Sequence, residues 1–503
     1  MPFDSRQYHN LTSYQRDKIP SHFLDWENQP STFKTYPDVE FIPLQRDIQI
    51  EDESLSDVLK CSQGESKTDV PSITDLSRIL FLAYTLTRKA VHGGGYHYYR
   101  SVASAGALYP VEIYVATHDV RELQDGLYHF SIANHALIPL RNEDMTGFVA
   151  DSLHETIEKR PSLICLFTSI FFRSAWKYRE RAYRYHLLDT GHLIENLVIA
   201  LKAQRFPFRL SYDFEDTKIN HLLGLDETKE VCLAVCHVPL SRDFIKDLKK
   251  ADLKELGDSF KSTSRVSNNE IEYPLIHNIH NAGLIQDLGS RGPFSEDDSV
   301  DIPGARTIEI NAPDVWPEKT NCEGAFFKRK SSRNFIPEPI SRNCLMSLLE
   351  CLAVADSVDA SVSKENQSPV TIGLLIGNAE GFLPGFYLTN KNNTSLRIVN
   401  EGLFTDLMAH ICLDQKWMAH AAVHFLFITD LEKLDDLYGP RAYRYAMMNA
   451  GRLGERLYLA ATAMGLGCCG IGAFYDNEAA DLLALEKGSR LLYLLALGPV
   501  KSL

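Results

Sequence analysis

The chain carries one thirty-residue stretch twice, and this duplication limits the possible folds more than any other feature. Tyr178 to Pro207 reads YRERAYRYHLLDTGHLIENLVIALKAQRFP, and Tyr438 to Gly467 reads YGPRAYRYAMMNAGRLGERLYLAATAMGLG. The displacement is a constant 260 residues, from 178 to 438, and twelve of the thirty positions are identical without a gap. Repetition of that kind marks an internal duplication. Both copies contain Arg-Ala-Tyr-Arg-Tyr and continue with apolar residues at helical spacing: Leu187, Leu188, Ile194, Leu197, Val198 and Leu201 in the first. Each also has a mid-helix glycine, Gly191 or Gly451. Glycine there costs about 1 kcal/mol relative to alanine, so another backbone is expected to pack against it. The pattern predicts two copies of one domain, each built on a long buried helix.

A chain of 503 residues with 45% apolar content is long enough for two globular halves. Its net charge of −14 argues against non-specific nucleic-acid binding. No apolar run is long enough to span a bilayer, and Met1 to Asn10 is polar, so neither membrane insertion nor a secretory signal is expected. Ten cysteines without paired CxxC units fit reduced thiols in a cytoplasm. Cys232 and Cys236 are expected on one face of a strand, as small core residues rather than as a metal pair. No metal site is predicted.

Along the chain, residues 1–240 read as the first domain with an N-terminal arm, 241–315 as a linker with one short amphipathic helix, and 316–503 as the second domain. A helix is predicted over 73–90, capped at Ser72 or Thr74, and a loop over His92–Tyr99. Strands are predicted at 111–117, 162–172, 231–238, 371–376, 421–429 and 491–497, a hairpin at 126–140, and helices at 341–354 and 477–485. Helices and strands alternate without a strict βαβ rhythm, which makes the class α+β. Small residues crowd Arg100 to Pro110 (RSVASAGALYP), which either turns tightly into the next strand or lets a planar ligand approach.

These pieces together resemble the nitroreductase superfamily and, within it, the SagB-type dehydrogenases that oxidise azoline heterocycles. The resemblance runs through Asp25-Trp26, Gln29-Pro30, Ser104 to Pro110 (SAGALYP), Trp176-Lys177-Tyr178, the repeated Arg-Ala-Tyr-Arg-Tyr helix and Arg329 to Arg333 (RKSSR). It implies central, mostly antiparallel sheets flanked by helices, and FMN bound between two copies of the domain. In this chain the copies would form an intramolecular pseudo-dimer, a monomer with its own partner built in.

By that resemblance the halves have lost opposite parts. The first keeps Ser104 to Pro110 but has Ser66 to Thr74 where an Arg-rich string belongs, and Phe206-Pro207-Phe208-Arg209 where a glycine loop belongs. The second keeps Arg329 to Arg333, Gly470-Ile471-Gly472 and Lys501, but has Gln367-Ser368-Pro369-Val370 in place of SAGALYP. One complementary site per chain is therefore expected. The FMN phosphate would lie on Arg329, Lys330, Ser331 and Lys501, with Arg333 by the flavin N1/O2 edge. Gly470, Ile471 and Gly472 would back the ring, and Ala103, Ser104, Ala105, Gly106 and Leu108 would face its far side. Ala103 stands where the family usually has proline. Arginine suits a phosphate near-dianion because its fork makes charge-assisted bidentate bonds. A cation at the ring edge raises the reduction potential.

The resemblance also assigns proton abstraction to Lys177 and Tyr178, where a lysine of lowered pKa can act as base. Three functions follow: an FMN oxidoreductase acting on an azoline-bearing peptide or small molecule, a nitro- or quinone reductase using NAD(P)H, and a non-catalytic scaffold or peptide-binding subunit.

Overall fold

A computed structural model of the protein describes residues 3–19, 23–37, 39–46, 52–61, 67–92, 95–157, 159–240, 253–285, 307–353, 368–390 and 392–501. Two seven-stranded antiparallel sheets carry the same strand order. The first runs Ile42–Pro43, Ala136–Arg141, Gly126–Ser131, Val111–Thr117, Leu163–Ile170, Glu230–Val238, Arg209–Ser211. The second runs Thr307–Glu309, Ser395–Glu401, Gly385–Thr389, Thr371–Ile376, Val423–Asp430, Ser489–Gly498, Gly467–Ile471. Val111, Leu163, Thr371 and Val423 show that the displacement of 260 residues extends to the sheets.

The two long helices, Ala182–Ala203 and Ala442–Ala463, pack on each other and join the lobes into one core. Both mid-helix glycines lie at the crossing. A Cβ on Gly191 would come within 2.1 Å of the Met448 carbonyl oxygen, and one on Gly451 within 2.3 Å of that of Leu188. The backbones touch as expected, which is why each helix tolerates a residue of low helix propensity.

Two mirrored ion-pair clusters clamp the seam. Arg181 and Arg184 of the first long helix and its lead-in donate to Asp476 of the second lobe at 2.8 and 2.6 Å. Arg441 and Arg444 donate to Asp216 of the first lobe at 2.6 and 2.8 Å. All six residues are buried. Each cluster is capped by a short helix. Ser5–Leu11 places the His9 carbonyl on Arg184 and the Thr12 carbonyl on Arg181. Pro274–Ala282, from the stretch read as linker, places the His280 carbonyl on Arg444 and the Gly283 carbonyl on Arg441. Both helices carry His-Asn, at 9–10 and 280–281.

Buried arginines hold the Asp216 and Asp476 carboxyls below the usual carboxylate range, against the cost of desolvation. Burial, then Arg184, lowers His9 to about 3. Carboxylates depressed on folding contribute stability above their unfolded value of 3.8, and that stability is lost as pH falls toward the folded values. A histidine kept neutral by burial disfavours folding once the unfolded chain protonates below 6.5. Urea denaturation is therefore expected to show stability declining below pH 6.5 and falling steeply below about pH 4. A flat profile from pH 7 to 3 would remove the clamp from this account.

Four local expectations need correction. The helix predicted over 73–90 ends at Ala83; its capping box of Ser72 and Asp75 is present. Leu86–His92 is a strand paired with Gly95–Arg100, so His92–Tyr99 is half of a hairpin rather than a loop. The strand predicted over 162–172 stops at Ile170, where helix Phe171–Tyr178 begins. Cys232 and Cys236 enter different apolar clusters, because a bulge skips Leu233 and reverses the alternation.

Candidate functional site

At the seam, string after string from the sequence analysis meets a neighbour from the other lobe. The Ser104–Tyr109 loop comes from the first lobe. Gly106, Ala107 and Tyr109 all have positive φ, at 66°, 54° and 48°. Ser104 Oγ donates to Asp189 Oδ2 of the first long helix at 2.6 Å and accepts from the Tyr109 N–H at 2.9 Å. A Cβ on Gly106 would lie 2.8 Å from the Tyr178 hydroxyl and 3.2 Å from Lys177 Nζ. Glycine is required there on both counts, and the loop sits directly on the Lys177-Tyr178 pair. Leu108 packs with Trp176 in a small apolar cluster, and Ala103 is buried in the main core.

The second lobe supplies Arg329 to Arg333, threaded between Cys468 and the chain end. The Ser332 N–H donates to the Cys468 carbonyl at 2.8 Å, and Asn334 exchanges bonds with the Lys501 backbone at 3.1 and 2.9 Å. Lys501 thus stands beside the Arg-rich string although it lies 168 positions further along the chain (333 to 501). Lys330, Ser331, Arg333 and Lys501 are exposed. Among the described residues no carboxylate pairs with Lys330, Arg333 or Lys501. Arg329 differs: it is buried, and its Nε and Nη2 donate to the Ser101 and Arg100 carbonyls at 2.8 and 3.1 Å, so it fastens the second lobe to the base of the loop.

Gly470 and Gly472 lie at the end of strand Gly467–Ile471. The Gly472 carbonyl accepts from Arg181 and Tyr185 of the first lobe at 3.0 and 3.1 Å, and the Tyr185 ring lies 4.4 Å from that of Tyr178. Tyr493 leaves no room for a side chain at 470, where a Cβ would lie 1.7 Å from its hydroxyl oxygen, and the Tyr458 hydroxyl accepts from the Gly470 N–H at 2.6 Å and meets Ser331 Oγ at 2.9 Å. Ile471 points away, into the apolar cluster on the far side of its sheet.

Burial, then the Arg333 charge, lowers the Lys177 pKa. Burial pushes the Tyr178, Tyr458 and Tyr493 phenols well up, so all three stay protonated donors. Beneath them runs a polar chain that sequence reading missed: His192 bonds Glu455 at 2.6 Å and Tyr493 at 3.1 Å, and Asp189 lies alongside. Its only sequence signal is charge on an otherwise apolar helix. Far from the seam, His118, Asp125 and Asp144 converge, but Arg160 already supplies a cation to Asp144 at 3.0 Å.

The mirrored position is built differently. Tyr212 stands 260 residues before Gly472, and its hydroxyl accepts from Arg452 at 3.3 Å. Glu195, the counterpart of Glu455, is engaged by Arg452 at 2.8 Å and by Arg456. Tyr212 thus stands on one side where, on the other, Gly472 lets the Tyr185 ring approach to within 2.6 Å of where a Cβ would be.

A model of the nitroreductase family matches residues 47–238 and 327–499. The chain is 30% identical over 192 residues, 37% of its length and 94% of the relative's, to a protein of Methanocaldococcus jannaschii named as a nitroreductase. It is 28% identical over 173 residues to the trifolitoxin-processing protein TfxB of Rhizobium leguminosarum bv. trifolii, covering 32% of this chain and 46% of TfxB. It is 26% identical over 135 residues to the microcin B17-processing protein McbC of Escherichia coli, covering 25% of this chain and 49% of McbC. A crystal structure of a nitroreductase-like protein from Anabaena variabilis superimposes with a TM-score of 0.78 over 99% of both chains at 27% identity.

Proposed function

The chain belongs to the nitroreductase family, and from that premise we propose that it is an FMN-dependent oxidoreductase with one composite site at the seam, acting on azoline-type rings in a peptide. One set of contacts carries the reading: Gly106 packs on Lys177 and Tyr178, the Tyr178 ring lies against Tyr185, Tyr185 donates to the Gly472 carbonyl of the second lobe, and the charge of Arg333 bears on Lys177. The donor set suits the cofactor. Three exposed cations with no carboxylate partner among the described residues sit together in a chain of net charge −14, which suits a phosphate. Glu455 Oε1 is buried without a hydrogen-bond partner among the described residues. Peptide substrates are favoured by the kinship with TfxB and McbC, both named for processing a toxin or microcin.

Bound flavin supplies hydride exchange at N5. The residues around it hold, orient and move protons. Lys330, Ser331, Arg333 and Lys501 bind the phosphate end, with Arg333 extending positive charge toward the ring. Arg329 secures the Ser104–Tyr109 loop against the second lobe. Gly470 to Gly472 form the close-approach wall, and Ala103, Ser104, Ala105, Gly106 and Leu108 the opposite one. Lys177, with its pKa lowered by burial and by Arg333, is the residue that takes a ring proton. Tyr178, kept protonated by burial, orients the substrate as a donor.

Purified protein is expected to be yellow and to release one FMN per chain on denaturation; none, or two, would refute the composite site. Arg333→Ala combined with Lys501→Ala removes two charge-assisted contacts and should weaken FMN binding about a hundredfold, read by fluorescence titration. Reduction by NADPH in stopped flow should be slow; fast reduction would instead favour a nitro- or quinone reductase.

A further inference from the structure

The Ser104–Tyr109 loop follows a path that its sequence does not favour. Three of four consecutive residues from Gly106 to Tyr109 have positive φ, two of them non-glycine. Such a path persists only when its surroundings hold it. Ser104 is the hub: its Oγ accepts from the Tyr109 N–H, and its carbonyl accepts from the Ala107 N–H at 3.1 Å. Ser104 is in turn held by Asp189, whose Oδ2 accepts from its Oγ at 2.6 Å while Oδ1 accepts from the Ala105 N–H at 3.1 Å. Asp189 is buried, and no lysine or arginine pairs with it among the described residues. A buried carboxylate without a lysine or arginine is costly, and here its largest compensation is the loop, ahead of His192.

We propose that Asp189 is a positioning residue: its carboxylate holds the Ser104–Tyr109 loop in its left-handed path and so seats Gly106 against Lys177 and Tyr178. The same chain contains the neutral version. Asn449 stands 260 residues on, in the half that lacks SAGALYP, and receives Ser368 Oγ at 2.8 Å. The half that kept the loop kept the charge. The consequence for function rests on the seam being the cofactor site.

Burial raises Asp189 to about 6, so it titrates within a usable range. The groups facing it are His192 on its own helix, Glu455 from the second long helix, Tyr178 from the preceding helix, Tyr109 from the loop and Tyr493 from the second sheet. The three phenols stay neutral because burial raises them. Protonated Asp189 loses the charge that strengthens its bonds from Ser104 and Ala105, so the loop loosens as pH falls through about 6.

Hydrogen exchange at the Ala105 and Tyr109 amides tests this in the full chain without cofactor. Protection factors, corrected for intrinsic rates, should fall about tenfold between pH 7 and pH 5. Asp189→Asn should already show the lower protection at pH 7, with no further loss at pH 5. Wild-type protection independent of pH would overturn the proposal. So would Asp189→Asn that keeps both the wild-type protection and its pH dependence, which would place the pH response elsewhere. FMN titration of the same two proteins separates this from the cofactor reading. If wild type binds and Asp189→Asn binds more weakly with a flat pH profile, the loop serves the cofactor. If wild type binds no FMN while the exchange result holds, the seam assignment fails and the positioning role stands.

Discussion

Gly191→Ala is expected to destabilise the protein by at least about 3 kcal/mol. The new Cβ would lie 2.1 Å from the Met448 carbonyl oxygen, 2.9 Å from its carbon and 3.0 Å from the Arg452 nitrogen. All three are backbone atoms of a helix buried on nearly every side, so no flexible side chain can yield. The helices must separate, and they carry the contact that joins the two lobes. Alanine's better helix propensity returns only about 1 kcal/mol. Gly439→Ala is the control: its φ is +64° and an added Cβ meets nothing within 4 Å, so only backbone strain of about 1–2 kcal/mol applies. Denaturant midpoints of the two variants should differ clearly. Gly191→Ala as stable as wild type would mean that the long helices do not cross in contact.

Asp476→Asn should cost about 3–5 kcal/mol, because it leaves Arg181 and Arg184 buried against a neutral group. Asp216→Asn should cost a similar amount through Arg441 and Arg444. The equivalence ends at the candidate site. Arg181 also donates to the Gly472 carbonyl at 3.0 Å, so loosening it disturbs the glycine wall. Arg441 donates instead to the carbonyls of Tyr212 and Gly283, on the side where Tyr212 replaces glycine. Asp476→Asn should therefore lose cofactor well before it unfolds, while Asp216→Asn should retain it until the global transition. Flavin release and circular dichroism followed along one urea series decide this. Coincident loss in both variants would break the link between clamp and site.

Legibility followed the range of the interactions. The long helices could be read because their apolar period and shared glycines are local and repeated. The hairpin at 86–100 could not, because an apolar run continuing past Ala83 looks helical until a partner strand is seen across from it. The RKSSR string announced its charge but not the division of labour within it. Burial under Arg100 and Ser101 makes Arg329 a fastener, while Arg333 stays exposed beside Lys177. Asp189, His192 and Glu455 were invisible as a group, since a charge on a buried helix acquires a role only from what the other lobe sets against it.

The amino-acid sequence alone determined that there are two copies of one architecture and that each retains strings the other lacks, because both facts reside in residue identity and spacing. Only the tertiary structure decided which strings meet. Crossing at Gly191 and Gly451 fixes how one lobe lies on the other, and it thereby sets Gly106 and Lys177 beside Arg333 on one flank and closes the other with Tyr212.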